Sequence, residues 1–304
     1  IKKNDKIALY ARNSAEWVIA YFATLTYEAV TVPFLPDFLP SAVAELGSFS
    51  ECKLMIADDI AIAGLKEDAK NIERLEATAG FAGIVNLKDL SVDYAAVKEL
   101  SAAYETLDEH LKALYPNGIS AADVNFYKEE RDMEAVVEIS FTSGTTSATS
   151  KGVVLPARSL SANLEFARRE IPAAAGGHIF AILPMAHTLE MTLSMLYPMY
   201  CGATVYYLPK PPVASLLMKA LKIVKPTTML TVPLIIEKVY KGSVLPTIQK
   251  SRTLTWMNEH MNGLMCKIIG MKLKSTFGGH VTFYGIGGAQ LDPEVENFLL
   301  KAGF

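Results

Sequence analysis

Short runs of apolar, often β-branched residues alternate along the chain with longer stretches in which apolar positions recur at helical spacing. In the first part, the apolar runs predict strands at residues 7–10, 29–33, 53–57 and 83–87. A helix is predicted between the first two, with an Asx cap at Asn13, Glu16 three residues later and an end near Leu25. Strands that alternate with helices favour an α/β fold with a largely parallel sheet.

A second series of apolar runs begins after a charged stretch, residues 92–131, which is predicted to be helical around a turn at residues 116–118. The strands of this second series are predicted at residues 136–141, 179–183, 203–208, 227–232 and 281–284. The pattern therefore predicts two adjacent α/β lobes of mostly parallel sheet flanked by helices, residues 1–135 and residues 136–304.

Two helical regions are predicted in the second lobe. Residues 234–277 form a long lysine-bearing stretch, with breaks expected near Gly242, Pro246 and Gly270. A final helix is predicted to begin at Asp292, because an N-cap residue, a proline at N1 and early negative charge follow one another there.

Composition narrows the class of protein. The 304 residues are 51% hydrophobic and 20% charged, which is typical of a packed globular chain, and the net charge of −3 gives no electrostatic support for nucleic-acid binding. The three cysteines are widely spaced and form no metal-like pair, so no metal site is predicted and a reducing, cytoplasmic location is expected. Residues 191–208 carry no charge, but a proline and a Cys-Gly turn favour a buried helix and strand over a membrane span.

A loop rich in hydroxyl groups follows the predicted strand at residues 136–141. Its residues of interest are Thr142, Ser143, Gly144, Thr145, Thr146, Lys151 and Gly152. Glycine permits close approach of the backbone to a ligand, amides and hydroxyls donate hydrogen bonds, and lysine adds a positive charge. The loop alone therefore fits a polyphosphate site and a Ser/Thr-rich surface turn about equally, and both interpretations stay open at this point. It is not a Walker loop, because Ser150 stands where that motif needs glycine.

Two further segments follow predicted strands. His187 ends the run Leu-Pro-Met-Ala-His after the strand at residues 179–183, at the kind of strand end where α/β sheets bind ligands. Gly287, Gly288 and Ala289 form a glycine turn after the strand at residues 281–284. Taken alone, a structural histidine and an ordinary tight turn explain these two segments equally simply.

Together, in order and spacing, the three segments resemble the signatures of the AMP-forming, adenylate-forming enzymes. The loop resembles Thr-Ser-Gly-Thr-Thr-Gly-x-x-Lys-Gly, although Ser147 replaces a glycine and the spacer before Lys151 is one residue longer. The second segment resembles the family's hydrophobic-Pro-Leu/Met-Ala/Phe-His, and the third resembles Gly-Gly-Ala-Pro-Leu, with Gln290 in place of proline. The similarity covers nearly the whole chain. Residues 232–240 and the basic stretch that follows are most similar to the long-chain acyl-CoA synthetase branch.

The resemblance implies an activity and roles for these residues. Such enzymes use ATP and Mg²⁺ to convert a carboxylic acid, here a fatty acid, into an acyl-adenylate, and then transfer the acyl group to coenzyme A. It implies that Lys151 and His187 are catalytic, that the hydroxyl-rich loop holds the β- and γ-phosphates, and that Gly287, Gly288 and Ala289 flank the adenine. It also makes a peripheral membrane contact through Lys267, Lys272 and Lys274 an option for a lipid substrate.

Other pieces of the resembled enzymes are absent from the sequence. These are the first several dozen residues, the Tyr-Gly-x-Thr-Glu signature, the ribose-binding aspartate and the small C-terminal domain with its catalytic lysine. The expectation is an incomplete and inactive part of the large N-terminal domain. An acyl-carrier-protein ligase, an aromatic or medium-chain acid ligase, and a non-catalytic nucleotide- or lipid-binding module stay open as alternatives. Acyl length, thiol acceptor and oligomeric state are also open.

Overall fold

The computed structural model describes residues 1–120, 123, 132–142, 150–171, 175–208 and 213–304. Within these residues the chain forms two compact units, each with its own sheet. The first unit comprises Ile1–Asn163 and Pro184–Thr188, and the second comprises Leu164–Leu183 and Leu189–Phe304. The predicted class, α/β with mostly parallel sheets flanked by helices, is confirmed.

The sheet of the first unit has seven strands in the order β5-β4-β3-β1-β2-β6-β7. The strands are β1 (Lys6–Tyr10), β2 (Val30–Phe34), β3 (Cys52–Ala57), β4 (Gly83–Asn86), β5 (Val92–Ala95), β6 (Val136–Thr142) and β7 (Lys151–Pro156). All neighbours pair in parallel except the two edge strands, β5 and β7, which are antiparallel to β4 and β6. Strand β2 is fully buried and β1 is buried except at Lys6, as expected when helices cover a parallel sheet.

Helices connect these strands. They are α1 (Ala15–Thr26), α2 (Pro40–Phe49), α3 (Asp59–Lys66), α4 (Ala69–Glu76), α5 (Lys98–Glu105) and α6 (Leu107–Leu114). Val32 and Phe34 of β2, together with Met55 and Leu65, belong to a continuous apolar core on one face of the sheet. The carboxyl ends of the parallel strands all lie at one edge of this sheet.

The sheet of the second unit has four strands in the order β11-β10-β8-β9, and every pair is parallel. The strands are β8 (His178–Ala181), β9 (Thr204–Tyr207), β10 (Thr228–Thr231) and β11 (Phe283–Ile286). Helix α7 (Ala157–Glu170) precedes them. The helices that follow are α8 (Thr188–Met191), α9 (Tyr197–Cys201), α10 (Ala214–Val224), α11 (Pro233–Val239), α12 (Leu245–Gln249), α13 (Arg252–His260), α14 (Asn262–Thr276) and α15 (Pro293–Ala302), with π-helical turns at Thr192–Leu196 and Tyr240–Val244.

Every strand predicted from the sequence forms, with ends shifted by one or two residues. Two strands were not predicted. β5 lies where a helix was expected, because Val92–Ala95 completes a hairpin with β4 before the helical stretch begins. β7 was not predicted because its residues immediately follow the hydroxyl-rich loop and are half-exposed at the edge of the sheet.

The division between the units differs from the predicted boundary at residues 135 and 136. Strand β6 pairs in parallel with β2, through Thr31 and Glu138, and β7 pairs with β6. Backbone hydrogen bonds therefore place both strands in the first sheet, and the second sheet begins only at His178. The charged stretch that suggested the boundary connects β5 to β6, two strands of one sheet.

Several predicted helix ends are confirmed and two predictions are wrong. Asp292 caps α15 by accepting from Glu294 N, and Gly303 ends it in a left-handed conformation. The N-cap of α1, in contrast, is Ser14, whose side chain accepts from Trp17 N, and not Asn13. The expected break at Gly270 does not occur, because Gly270 lies inside α14, where it packs against α15.

The uncharged stretch at residues 191–208 forms a π-helical turn, α9 and β9. No helix in the described part of the chain is long and apolar enough to cross a bilayer.

Candidate functional site

The hydroxyl-rich loop is held by the β6–β7 hairpin. Thr142 and Lys151 are Cα partners at the end of the hairpin where the loop connects the two strands, and both are exposed. Ser143, Gly144, Thr145 and Thr146 lie outside the described residues. The hairpin therefore fixes both ends of the loop opposite each other, at the carboxyl end of a strand that is parallel to the centre of the sheet.

Gly152 is the cross-strand partner of Phe141. A Cβ atom at Gly152 would lie 3.2 Å from Ile139 Cγ2 and 3.2 Å from Phe141 Cε1, which is tighter than ordinary van der Waals contact. Because Gly152 has no side chain, the phenyl ring of Phe141 can lie against the backbone of β7 at the residue that follows Lys151.

A buried acidic group lies beneath this hairpin. Glu138 of β6 is 1% exposed, and the hydroxyl of Tyr21 donates to its Oε2 at 2.7 Å. Burial raises the pKa of Glu138 to about 7, against the opposing effect of the Tyr21 hydrogen bond. Because side chains alternate along a strand, Glu138, Ser140 and Thr142 share one face of β6. The carboxyl group of Glu138 is therefore on the same face as Thr142, four residues before the loop begins.

His187 lies in the short segment Pro184–Thr188, which belongs to the first unit although its sequence neighbours belong to the second. The backbone turns here, since His187 N donates to Pro184 O at 3.0 Å. The segment is anchored by Asn13, whose Oδ1 accepts from Met185 N at 2.8 Å, and the side chain of Met185 is buried. His187 itself is exposed, in contrast to its neighbours Met185 and Ala186, which are buried.

The loop and the His187 segment lie at the same edge of the first sheet. Asn13 follows the carboxyl end of β1, and Thr142 is the carboxyl end of β6. The strands β1, β2 and β6 are adjacent and parallel, so β1 and β6 are about 10 Å apart. This edge, where the chain leaves parallel strands, is where open α/β sheets bind ligands.

The glycine turn lies at the corresponding edge of the second sheet. Gly287 N donates to Thr231 O at 3.0 Å, which holds the turn against the end of β10. Gly288 has φ +88°, a left-handed conformation that glycine adopts without strain. Ala289 and Gln290 are exposed and line a cavity of about 390 Å³, together with Tyr284 and Leu291, whereas Gly287 and Gly288 are outside this lining.

Sequence reasoning missed Glu190. This residue is fully buried, and its Oε1 accepts from Leu183 N at 3.2 Å, so the bond joins the two residues that flank segment 184–189. Burial raises the pKa of Glu190 to about 8, while hydrogen bonds oppose this rise. The nearby Tyr207 has its own pKa raised to about 12, mainly by burial and also by Glu190. A signal did exist, because Glu190 is the single acidic residue between Glu170 and Glu237.

The predicted site residues are thus divided between the two units. The first unit holds Thr142, Lys151, Gly152 and His187, and the second holds Gly287, Gly288 and Ala289. In the described ranges, no group of three or more His, Cys, Asp or Glu side chains is arranged to hold a metal ion.

The fold and the strand-edge segments define an α/β domain of the adenylate-forming type, and comparison with known proteins identifies the family. The AMP-binding enzyme family matches residues 1–304. The chain therefore belongs to the AMP-binding enzyme family.

Similar proteins include long chain acyl-CoA synthetase 1 of Arabidopsis thaliana, which is 25% identical over 97% of this chain and 46% of its own length. Long-chain-fatty-acid–CoA ligase 5 of Rattus norvegicus is 24% identical over 97% of this chain and 44% of its own length. The chain spans about half the length of these relatives. The crystal structure of ATP-bound MatB from Rhodopseudomonas palustris has the same fold, with a TM-score of 0.67 and 17% identity over 100% of this chain and 49% of that one.

Proposed function

We propose that this chain is part of an enzyme that activates a long-chain fatty acid with ATP and transfers it to coenzyme A. The observation that carries the proposal is the match of the AMP-binding enzyme family along residues 1–304. The names of the relatives support the fatty-acid substrate, since both are long-chain acyl-CoA ligases. The geometry is consistent with it, because the loop and His187 lie at one ligand-binding edge.

The reaction has two steps. A carboxylate oxygen of the fatty acid attacks the α-phosphorus of ATP, the bond to the bridging oxygen breaks, and pyrophosphate leaves. The thiol of coenzyme A then loses its proton to solvent and its sulfur attacks the acyl carbon; the bond from that carbon to the AMP oxygen breaks, and AMP leaves with the bonding electrons. The first step needs alignment and neutralisation of charge more than covalent help from the protein.

We assign the phosphate contacts to the loop between β6 and β7. Thr142, Ser143, Gly144, Thr145 and Thr146 would donate to the β- and γ-phosphates. The position of Lys151 supports a role in the same contact, because its strand begins opposite Thr142 and its side chain is exposed. A lysine ammonium binds phosphate as a point charge, so we expect Lys151 to neutralise phosphate charge and not to fix the orientation of the phosphate group.

His187 would position the substrate carboxylate, and Gly287, Gly288 and Ala289 would line the adenine. The cavity beside Ala289 supports the second assignment, since its walls combine aromatic and aliphatic side chains with polar ones, a mixture that suits a flat heterocycle with ring nitrogens. Mg²⁺ would neutralise the triphosphate, bound largely through phosphate oxygens and water with few protein ligands.

Calorimetry with ATP tests the loop assignment directly. Thr145→Ala combined with Thr146→Ala should weaken ATP binding about a hundredfold or more, because two hydrogen bonds to charged oxygens, each about 1.5–3 kcal/mol, are lost. Thr253→Ala, at an exposed position of α13, is the matched control and should bind as the parent does. Unchanged ATP affinity in the double variant would remove the loop from the nucleotide site.

The substrate class is tested separately, with non-hydrolysable acyl-adenylate mimics of increasing chain length. A long-chain ligase should bind a sixteen-carbon mimic more tightly than a benzoyl or eight-carbon one. Preference for the short or aromatic mimic would overturn the fatty-acid assignment while leaving the ATP site in place.

A further inference from the structure

The longest helix of the second unit, α14, has two apolar faces. One face packs into the core of the unit through Met265, Ile269 and Leu273, which are each at most 5% exposed. The opposite face carries Leu264, 47% exposed, and Met271, 66% exposed. An ordinary surface helix has polar residues on its outer side, so this second face is unusual.

The exposed apolar residues of α14 follow one stripe. Leu264, Ile268 and Met271 are separated by four and three residues, which places them on the same side of an α-helix. Ile268, between the other two, is 39% exposed. A row of three large apolar side chains thus faces solvent along about two turns of helix.

Lysines border this stripe on both sides. At 3.6 residues per turn, Lys267 and Lys274 lie roughly 60–80° to one side of it and Lys272 lies roughly 80° to the other. None of the three forms a salt bridge with a described residue, although eight such bridges occur elsewhere in the described chain. We call this surface the α14 outer face; it comprises Leu264, Lys267, Ile268, Met271, Lys272 and Lys274.

The charge around the α14 outer face is opposite in sign to that of the chain as a whole. Residues 238–291 hold seven lysine or arginine residues and a single carboxylate, Glu259, whereas the whole chain has a net charge of −3. The nearest carboxylates outside this range are Glu237 before it and, at the start of α15, Asp292, Glu294 and Glu296. The excess positive charge is therefore local to the α14 outer face, which carries three lysines and no carboxylate beside its exposed apolar groups.

We propose that the α14 outer face binds the surface of an anionic lipid bilayer. An apolar stripe with lysines along both borders is the arrangement of helices that lie in a membrane interface, since the apolar groups enter the acyl boundary while the lysines reach the headgroups. Anionic headgroups supply the complementary charge. The inference does not depend on nucleotide binding or on the nature of the acyl substrate.

Sedimentation with lipid vesicles tests the proposal. The chain should bind vesicles that contain about a third phosphatidylserine or phosphatidylglycerol, with weaker binding to phosphatidylcholine alone and as salt increases. Leu264→Ser combined with Met271→Ser should lower the partition coefficient at least tenfold. Lys267→Glu, Lys272→Glu and Lys274→Glu together should abolish the preference for anionic lipid.

Matched controls in the first unit separate a local face from overall charge and hydrophobicity. Leu39→Ser with Ile60→Ser removes two side chains that are 70% and 58% exposed. Lys70→Glu, Lys88→Glu and Lys112→Glu changes the net charge by the same amount as the α14 triple variant. Both control variants should bind vesicles as the parent does.

Three results would overturn the proposal. One is vesicle binding that survives the α14 variants, and a second is binding that the control variants reduce equally. The third is a parent chain that does not bind anionic vesicles but forms a dimer that Leu264→Ser and Met271→Ser disrupt, which would assign the face to a second copy. Thermal unfolding of every variant shows whether the loss is caused by misfolding. None of the substituted positions is buried, since all are exposed except the half-buried Lys274, so the melting temperatures should stay close to that of the parent.

Discussion

Glu190 is a carboxyl group that is completely buried, and its raised pKa links the stability of the fold to pH. Burial penalises the charged form and raises the pKa of Glu190 from its ordinary value of 4.5 to about 8. Between these two values the folded chain holds a proton that the unfolded chain has released. The free energy of unfolding should therefore fall as pH rises from about 4.5 to about 8.

Glu190→Gln should remove this loss of stability. The glutamine oxygen can still accept from Leu183 N, and the side chain stays neutral at every pH. We expect the variant to match the parent near pH 4.5 and to exceed it by on the order of a few kcal/mol near pH 8, since one pKa unit corresponds to about 1.4 kcal/mol. Urea unfolding at a series of pH values measures the difference.

Glu190→Ala separates charge from shape in the same experiment. It removes the charge but also leaves a cavity and deletes the oxygen that accepts from Leu183 N, so it should destabilise the chain at low pH as well. A Glu190→Gln variant whose stability tracks that of the parent at every pH would contradict a buried, protonated carboxyl group at this position.

At the scale of elements, the sequence predicts those parts of the fold that local chemistry decides. Asp292, Pro293 and Gly303 define both ends of α15 because capping depends on neighbouring residues only. Strand β7 could not be predicted in this way. It forms by pairing with β6 at the edge of the sheet, and its residues show no clear alternation of buried and exposed positions. The role of Asn13 could not be predicted from its neighbours either. Its side-chain oxygen accepts from Met185 N, 172 residues away, instead of capping the helix that follows it.

The candidate site was predictable to a similar extent. The loop, His187 and the glycine turn were recognised because each is a short motif beside a strand. Glu190 and Glu138 were missed because a carboxylate acquires its importance from burial, which depends on packing between distant parts of the chain. Glu138 is a case in point, since its partner Tyr21 is 117 residues away.

Gly270 provides a test at the scale of a helix pair. A Cβ atom at this position would lie 2.5 Å from Ala302 O and 2.8 Å from Ala302 Cβ, so α14 and α15 approach each other closely only because Gly270 has no side chain. Gly270→Ala should therefore destabilise the second unit by about 1–3 kcal/mol, although alanine is the better helix former. Thermal or urea unfolding followed by circular dichroism measures the change.

Gly263, in the same helix, is the matched control. Nothing lies within 4 Å of a Cβ atom built there, and its φ angle is not in the left-handed region. Gly263→Ala should stabilise the chain by about 0.4–1 kcal/mol, because alanine restricts the unfolded state. Equal effects of the two substitutions would show that Gly270 is not a contact point between α14 and α15.

For the whole molecule, the residues assigned to ATP come from two units with separate cores. The loop anchors Thr142 and Lys151 belong with His187 to the first, and Gly287 to Ala289 belong to the second. Each group lies at the carboxyl edge of its own parallel sheet. The proposed phosphate contacts and the proposed adenine contacts can therefore be tested independently, by substitutions in one unit that leave the core of the other unchanged.

The last prediction concerns turnover by these 304 residues. These 304 residues span about half the length of the relatives that they match. We expect the chain to bind ATP and an acyl-adenylate mimic but to form no acyl-CoA above background, because binding groups alone supply neither complete charge neutralisation nor the second step. Chromatographic detection of AMP and acyl-CoA measures turnover, and a longer protein that contains the Tyr-Gly-x-Thr-Glu signature and the C-terminal domain is the positive control. Formation of acyl-CoA by the 304 residues at a rate within tenfold of that control would show that this chain already holds every group the reaction needs.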